Sequence, residues 1–347
     1  MRAVVHSETG GPEVLRLVDD RAEPEPGPGE VLIRVAVSGV NPTDWKVRKG
    51  SRPGEPTRTP DSVPNQDGAG TVIAVGAGVA ASRVGERVWL WDAAWHRSDG
   101  TAQELVAIAQ DNAVTLPAGV SFDAGASLGI PARTAHRALT VASEGPTALG
   151  PGTLEGRTVL VAGGAGAVGH AAIQLARWSG ATVVTTVSSP EKAALAQAAG
   201  AHHVVNYRTD DAAAAIRQIA PDGVDIVVEV APVANAGLDA AVLARNGTVA
   251  IYASEGDEPL AIPVRPAMTD NVRYQFILVY TMPVAAKRQA VHDVSAAVSA
   301  GVLDVGEEAG LPLHRFPLDR TADAHAAVEN GAVGKVLIDV APPDSDL

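Results

Sequence analysis

Over the first 125 or so residues, apolar positions fall in short runs with strand spacing, separated by Gly and Pro. The runs are Arg2–Val5, Val31–Val37, Gly70–Val75, Arg87–Leu90 and Gln103–Ala107, with breaks such as Pro24-Glu25-Pro26-Gly27-Pro28-Gly29. Short strands at this spacing predict a β-rich domain, a partly closed barrel rather than a βαβ array. Ser51–Pro64, with four prolines and few apolar residues, predicts a surface loop placed to flank a site. From about Ser127 the pattern changes to strands alternating with helices, as in a parallel sheet with right-handed crossovers. Its strands are Val159–Val161, Thr182–Val187, Val204-Val205, Val224–Val230, Thr248–Tyr252 and the aromatic run Tyr274–Tyr280. Helices are predicted from Pro190 to a stop at Gly200, over Asp210–Ile219, and over Asn235–Ala244 with Asn246-Gly247 at its end. After Pro283 come one more helix, Ala285–Ala300, and a closing strand, Lys335–Val340. The fold class expected is α/β: a doubly wound parallel-sheet domain over 127–283, inserted into a β-rich domain of 1–126 and 284–347.

Between the first strand of the α/β part and its helix lies the turn Gly163-Gly164-Ala165-Gly166-Ala167-Val168-Gly169. Gly164, Gly166 and Gly169 satisfy G-x-G-x-x-G in the strand–turn–helix context that the motif demands. Glycine lets the turn bend sharply and brings backbone N–H groups close to a pyrophosphate, which the following helix start also attracts. Dinucleotide binding is the expectation, with a tight structural turn as the alternative. An NAD site places an acid about 20 residues past the last glycine, on the ribose hydroxyls. Here the second strand ends in Ser188 and Ser189, Lys192 follows, and Glu191 lies one turn into the next helix. Two hydroxyls and an ammonium accept a 2′-phosphate, so NADPH is expected over NADH. The same serines also read as ordinary helix caps.

Composition narrows the function classes. With 347 residues, 46% hydrophobic and 19% charged, the chain has enough core for two folded domains. A net charge of −13 argues against nucleic acid or an anionic membrane as the main partner. No apolar run approaches the roughly 18 residues of a membrane span, and no signal peptide is read at the start; cytoplasmic residence is the expectation. Without cysteine there is no disulfide, no thiolate zinc site and no cysteine nucleophile.

Several motifs together resemble the zinc-independent medium-chain dehydrogenase/reductases, in the quinone oxidoreductase (zeta-crystallin-like) branch. They are Gly39-Val40-Asn41-Pro42-Thr43-Asp44, Asp67-Gly68-Ala69-Gly70, Gly129-Ile130-Pro131 with Thr134-Ala135, Gly163–Gly169, Asn206-Tyr207-Arg208 and Gly334-Lys335. The resemblance implies a GroES-like β domain plus a Rossmann domain, NADPH in the cleft, and a homodimer formed through a late Rossmann strand, matched here by Tyr274–Tyr280. It implies Tyr207 beside the 2′-phosphate, Tyr252, Ser254 and Lys335 among the coenzyme contacts, and Ile130 in the substrate pocket. In zinc-containing relatives the positions of Asn41 and Gln66 hold cysteine and histidine; amide oxygens are poorer zinc ligands, so no metal is expected. Lys46, where zeta-crystallin-like members commonly carry tyrosine, resembles the branch that reduces enones and alkenals.

The chemistry expected is hydride transfer from NADPH to a quinone or an α,β-unsaturated carbonyl. Asn41 and Lys46 would hydrogen-bond the oxygen where charge develops, with the proton from Lys46 or water. Each has a plainer reading, Asn41 as a turn residue before Pro42 and Lys46 as a solvated helix charge. Trp91 and His96 are further pocket candidates, the first as a flat wall and the second as a proton donor. Enoyl-thioester reduction and a non-catalytic NADPH-binding, crystallin-like role are the alternatives.

Overall fold

In a computed structural model describing residues 1–57, 59–254, 256 and 258–340, the chain divides into two units. The first takes Met1–Ile130 and the described chain from Leu313 onward; the second is Pro131–Pro312. In chain order, β1 (Ala3–Val5) and β2 (Arg16–Val18) form a hairpin, and β3 (Glu30–Val40) leads into α1 (Pro42–Lys49). There follow β4 (Asp67–Val75), β5 (Arg87–Leu90), β6 (Leu105–Ala109), β7 (Ala113–Thr115), α2 (Phe122–Gly125) and α3 (Gly129–Leu139). The second unit continues with β8 (Thr158–Ala162), α4 (Ala167–Trp178), β9 (Thr182–Val187), α5 (Pro190–Ala198), β10 (His203–Asn206) and α6 (Ala212–Ile219). It closes with β11 (Val224–Glu229), α7 (Pro232–Val242), β12 (Leu243–Ile251), α8 (Val264–Thr269), β13 (Arg273–Phe276) and α9 (Val284–Ser299). β14 (Leu313–Pro317), α10 (Thr321–Glu329) and β15 (Lys335–Asp339) return to the first unit.

The first unit is built on a sheet ordered β14-β15-β3-β4-β5-β7, with β6 also on β3. Along β3 the apolar residues Val31, Ile33 and Val35 alternate into a core completed by Val72, Val88, Val106 and Ile338. Each such side chain contributes roughly 1.5–3 kcal/mol by leaving water, which makes β3 the spine of the unit. The second unit holds six parallel strands ordered β10-β9-β8-β11-β12-β13, the 3-2-1-4-5-6 order of a Rossmann sheet. β8 lies at the centre, and Val159, Leu160 and Val161 are buried on both its faces. That is why the segment reads as an unbroken apolar run. Ser189 caps α5 by accepting from the Lys192 N–H, and Asp211 caps α6. Gly200 stops the turn after α5 in the left-handed region, φ 101°. No described helix is long and apolar enough to cross a membrane.

Four differences from the sequence expectation have identifiable causes. β12 starts at Leu243, not Thr248, because Asn246 takes φ 62° within the strand rather than ending a helix; asparagine tolerates that region. The strand expected over Tyr274–Tyr280 stops at Phe276, and Val279–Thr281 coils into a 3₁₀ turn that buries Tyr280. β14 and α10 were not anticipated: β14 carries His314 and Arg315 on exposed positions, which hides its alternation. The segment Val284–Pro312, expected in the β-rich domain, packs instead in the second unit. The stretch 341–347, expected there too, lies outside the described residues.

One buried carboxylate accounts for the placement of α9. Asp293 accepts from His136 Nε2 of α3 at 2.8 Å, Leu149 N–H at 2.7 Å, Gln289 Nε2 at 2.8 Å and His292 Nδ1 at 2.9 Å. Burial opposes its charge, but these donors outweigh that and pull its pKa down to about 2 from 3.8. A folded pKa below the unfolded one means the contribution is complete above the unfolded value and vanishes as pH falls through the folded one. Asp293→Asn is therefore expected to lower stability by about 2 kcal/mol at neutral pH, as loss of charge-assisted hydrogen bonds does. Urea midpoints of the two proteins should converge as pH drops from 4 toward 2.

Candidate functional site

In the second unit, the turn after β8 has a different use for each glycine. Gly163 sits at φ +72°, and a Cβ on Gly164 would lie 2.2 Å from Thr185 Oγ1. On Gly169 it would meet the Gly163 carbonyl oxygen at 2.4 Å, so the helix can cross the turn only without a side chain. On Gly166, by contrast, the nearest atom is 3.5 Å away, so nothing in the protein requires glycine there. Gly166 is the N-cap of α4 and supplies no side-chain acceptor, which leaves the amides of Ala167 and Val168 in the first helical turn without an intrahelical carbonyl. Ala165 is buried within the turn. A cradle of glycine and free amides at a helix start fits a pyrophosphate.

The end of β9 completes the picture. Lys192 Nζ donates to Ser188 Oγ at 3.0 Å, and Ser189 Oγ accepts from the Lys192 N–H at 3.3 Å. The Tyr207 N–H donates to the Val187 carbonyl at 3.1 Å, which brings the half-exposed tyrosine to the same strand end. The exposed Glu191 carboxylate is also here, with its pKa held down chiefly by the Ser189 hydroxyl. Beyond the carboxyl ends of β11, β12 and β13 opens a cavity of about 700 Å³ lined by Val233, Tyr252, Ser254, Phe276, Leu278 and neighbours. Ligands of open α/β sheets bind at this end of the strands. The end of β11 and α7 hold an acid pair that the sequence reading missed. Glu229 and Asp239 are both buried; burial raises both pKa values, and Asp239 reaches about 8 with the Glu229 charge as second cause. Glu229 accepts from the Ala231 N–H and from Asn235 Nδ2, tying the end of β11 to α7. An acid inside the apolar run Val224–Val230 was the signal available for it.

The first unit gathers a second polar group, around Asp67 at the start of β4. Its carboxylate accepts from the Ile130 N–H at 2.9 Å and from Asn41 Nδ2 at 2.8 Å. Lys335 Nζ stands 3.9 Å away and donates to Asn41 Oδ1 at 2.7 Å and to the Val40 carbonyl at 3.2 Å. Gly129 makes this approach feasible, because a Cβ there would lie 2.0 Å from Asp67 Oδ1. Asn41 is also the N-cap of α1: Pro42 starts the helix, and Asp44 reaches back to the Asn41 N–H at 2.7 Å. Desolvation, then the Asp67 charge, push the Asp44 pKa up to about 7. Burial lowers that of Lys335, with Asp67 and Asp44 pulling the other way.

Of the residues expected at the reacting end, Asn41 and Ile130 come together here and the others do not. Lys46 lies on the exposed side of α1 with its ammonium 5.7 Å from the Trp45 ring centroid. Lys335, expected on the coenzyme, is 1% exposed and is the basic group that touches Asn41. Trp91 is 9% exposed with its indole N–H on the Asp111 carbonyl, a core position rather than a pocket wall. His96 is exposed at φ 58°, with its ring 4.3 Å from that of Trp95. Lys335 was not assigned to this group from sequence because it lies 294 positions from Asn41; Asp44, three residues past Asn41, was within the motif but given no role.

A GroES-like sheet unit and a Rossmann unit with a glycine turn define a dinucleotide-type oxidoreductase architecture. Residues 27–118 match the family described as alcohol dehydrogenase GroES-like domain, and 167–297 match zinc-binding dehydrogenase. The chain is 34% identical over 342 residues to the quinone oxidoreductase of Lama guanicoe, covering 97% of each. A mycobacterial protein solved in complex with NADPH is 29% identical with a TM-score of 0.79, over 97% of this chain and 99% of that one. An NAD-dependent alcohol dehydrogenase structure is 27% identical with a TM-score of 0.83, over 98% and 100%. The chain belongs to the quinone oxidoreductase (zeta-crystallin-like) family of the medium-chain dehydrogenase/reductases.

The glycine geometry yields a discriminating expectation. Gly169→Ala should cost about 1–3 kcal/mol, as overpacking does, whereas Gly166→Ala should unfold in urea within about 0.5 kcal/mol of wild type. Equal losses would mean that the turn is not shaped as described.

Proposed function

We propose that this chain is an NADPH-dependent, zinc-independent reductase of quinones or α,β-unsaturated carbonyls. The observation that carries the coenzyme reading is the end of β9, where Ser188, Ser189 and Lys192 converge without the buried ribose acid of an NAD site. The free amides of Ala167 and Val168 would hold the pyrophosphate, with Tyr207 beside the 2′-phosphate and Tyr252 and Ser254 along the cavity wall. When bound, NADPH supplies the hydride. The residues of this chain orient the acceptor and stabilise the charge that appears on its oxygen.

Asn41 Nδ2 donates once, to Asp67, so its second proton is available for that oxygen. Water, or Lys46 from the exposed side of α1, supplies the proton that completes a two-electron reduction. Zinc does not fit the donor set. The chain lacks cysteine, and the described residues hold no group of three His, Cys, Asp or Glu that could bind a metal ion. The two amide oxygens at the positions matched to ligands are occupied: Asn41 Oδ1 accepts from an ammonium and Gln66 Oε1 from the Ala94 N–H at 3.0 Å. A homodimer is part of this reading, because β13 ends the sheet with Phe276 64% and nearby Leu278 55% exposed.

Two measurements test it. Lys192→Glu should raise KM for NADPH by about tenfold or more, by replacing a phosphate partner with a like charge, and leave NADH nearly unaffected; equal effects would remove Lys192 from the phosphate. Oxidation of NADPH by wild type should proceed with a quinone and an alkenal. Turnover confined to a crotonyl thioester would assign enoyl-thioester reduction instead. Tight NADPH binding without any turnover would assign a non-catalytic role.

A further inference from the structure

The ammonium of Lys335 is buried in the first unit, where it donates to the Val40 carbonyl and to Asn41 Oδ1 and stands 3.9 Å from Asp67 Oδ2. An asparagine amide can rotate by half a turn and exchange its donor for its acceptor at almost no steric cost. Here both ends are specified. An ammonium has only protons to offer and therefore demands Oδ1; a carboxylate accepts only and therefore demands Nδ2. The distances agree, 2.7 Å from Lys335 Nζ to Oδ1 and 2.8 Å from Nδ2 to Asp67 Oδ2. The reversed rotamer would face NH₂ toward NH₃⁺ and C=O toward COO⁻, two repulsive contacts between buried groups.

We propose that Lys335 is a positioning residue that locks and polarises the Asn41 carboxamide for the oxygen of the acceptor. Charge-assisted donation into Oδ1 draws electron density from the amide and makes the remaining Nδ2 proton a stronger donor, since linked hydrogen bonds polarise one another. A fixed donor needs no reorganisation when charge develops on the acceptor, which is the condition for stabilising a transition state more than a ground state. The role of Lys335 in turnover rests on the reductase reading above; its grip on the amide does not. Asp67 stands 3.9 Å from the ammonium as a counter-charge, and Gly129 keeps room for Asp67.

The test uses the full-length protein with Lys335→Met, Asn41→Ala and both together. In Lys335→Met, kcat with a quinone is expected to fall by about 10-fold or more, with the fluorescence Kd for NADPH within about twofold of wild type. The double variant should be no slower than Asn41→Ala alone, because both substitutions remove one function. Lys335→Arg should recover part of kcat. Multiplied losses, or a weakened Kd with kcat intact, would overturn the proposal, the latter by placing Lys335 on the coenzyme. Should Lys335→Met fail to fold once the cation beside Asp67 is gone, Lys335→Met/Asp67→Asn removes both charges and takes the same assays. Nitrogen-15 NMR of the Asn41 side-chain amide in the coenzyme-free protein separates this proposal from the reductase reading. Its proton exchange should speed up by about 10-fold in Lys335→Met or the charge-free variant, even if no acceptor is ever reduced. Unchanged exchange would overturn the role of Lys335 and leave the reductase reading standing.

Discussion

A carboxylate taken out of water must be given donors, and the first unit is arranged around that requirement at Asp67. Its partners come from distant parts of the chain: the N–H of Ile130 in the first turn of α3, Nδ2 of Asn41 before α1, and the ammonium of Lys335 at the start of β15. A buried pair without such donors would be destabilising, because desolvation of both ions exceeds their attraction. With them, the cluster binds β4, α1, α3 and β15 together and leaves an amide proton of Asn41 to spare. The same electrostatics that hold the fold thus fix the orientation of the Asn41 carboxamide.

The second unit meets a different constraint, steric rather than electrostatic. The sheet order turns around between β8 and β11, and the turn after β8 must pass close beneath α4. Gly169 permits that crossing and Gly163 the left-handed bend, while the openness around Gly166 serves no internal contact. A position kept free of side chain without a packing reason is best understood through what would lie against it. At the end of β9 two serine hydroxyls and the Lys192 ammonium stand together.

Much of this was legible in the chain itself. The Rossmann strands, the cap at Ser189 and the stop at Gly200 depend on local periodicity and on residues with narrow backbone preferences, so a window of ten positions suffices. The glycines and serines proposed to hold the coenzyme stand out in the sequence for the same reason, since they lie next to the elements that they flank. The polar cluster around Asn41 was only partly readable. Asn41 stood out in its motif, but the neighbouring Lys46 drew the basic role, whereas the group in contact is Lys335. For Trp91 the sequence allowed both a pocket wall and a cap on the β-domain core, and its buried indole, donating to the Asp111 carbonyl, fits the second.

The sequence by itself determined the two-part α/β architecture, the glycine turn, and a polar rather than acidic end to β9, because each is written in neighbouring residues. Only the tertiary structure decided which charges meet. It brought residues 41, 67 and 335 within hydrogen-bonding or ion-pair distance, moved α9 into the second unit through Asp293, and buried Glu229 against Asp239. The reason is physical: the cost of an unpaired buried charge is settled across the whole fold, and no local pattern records which distant partner will meet it.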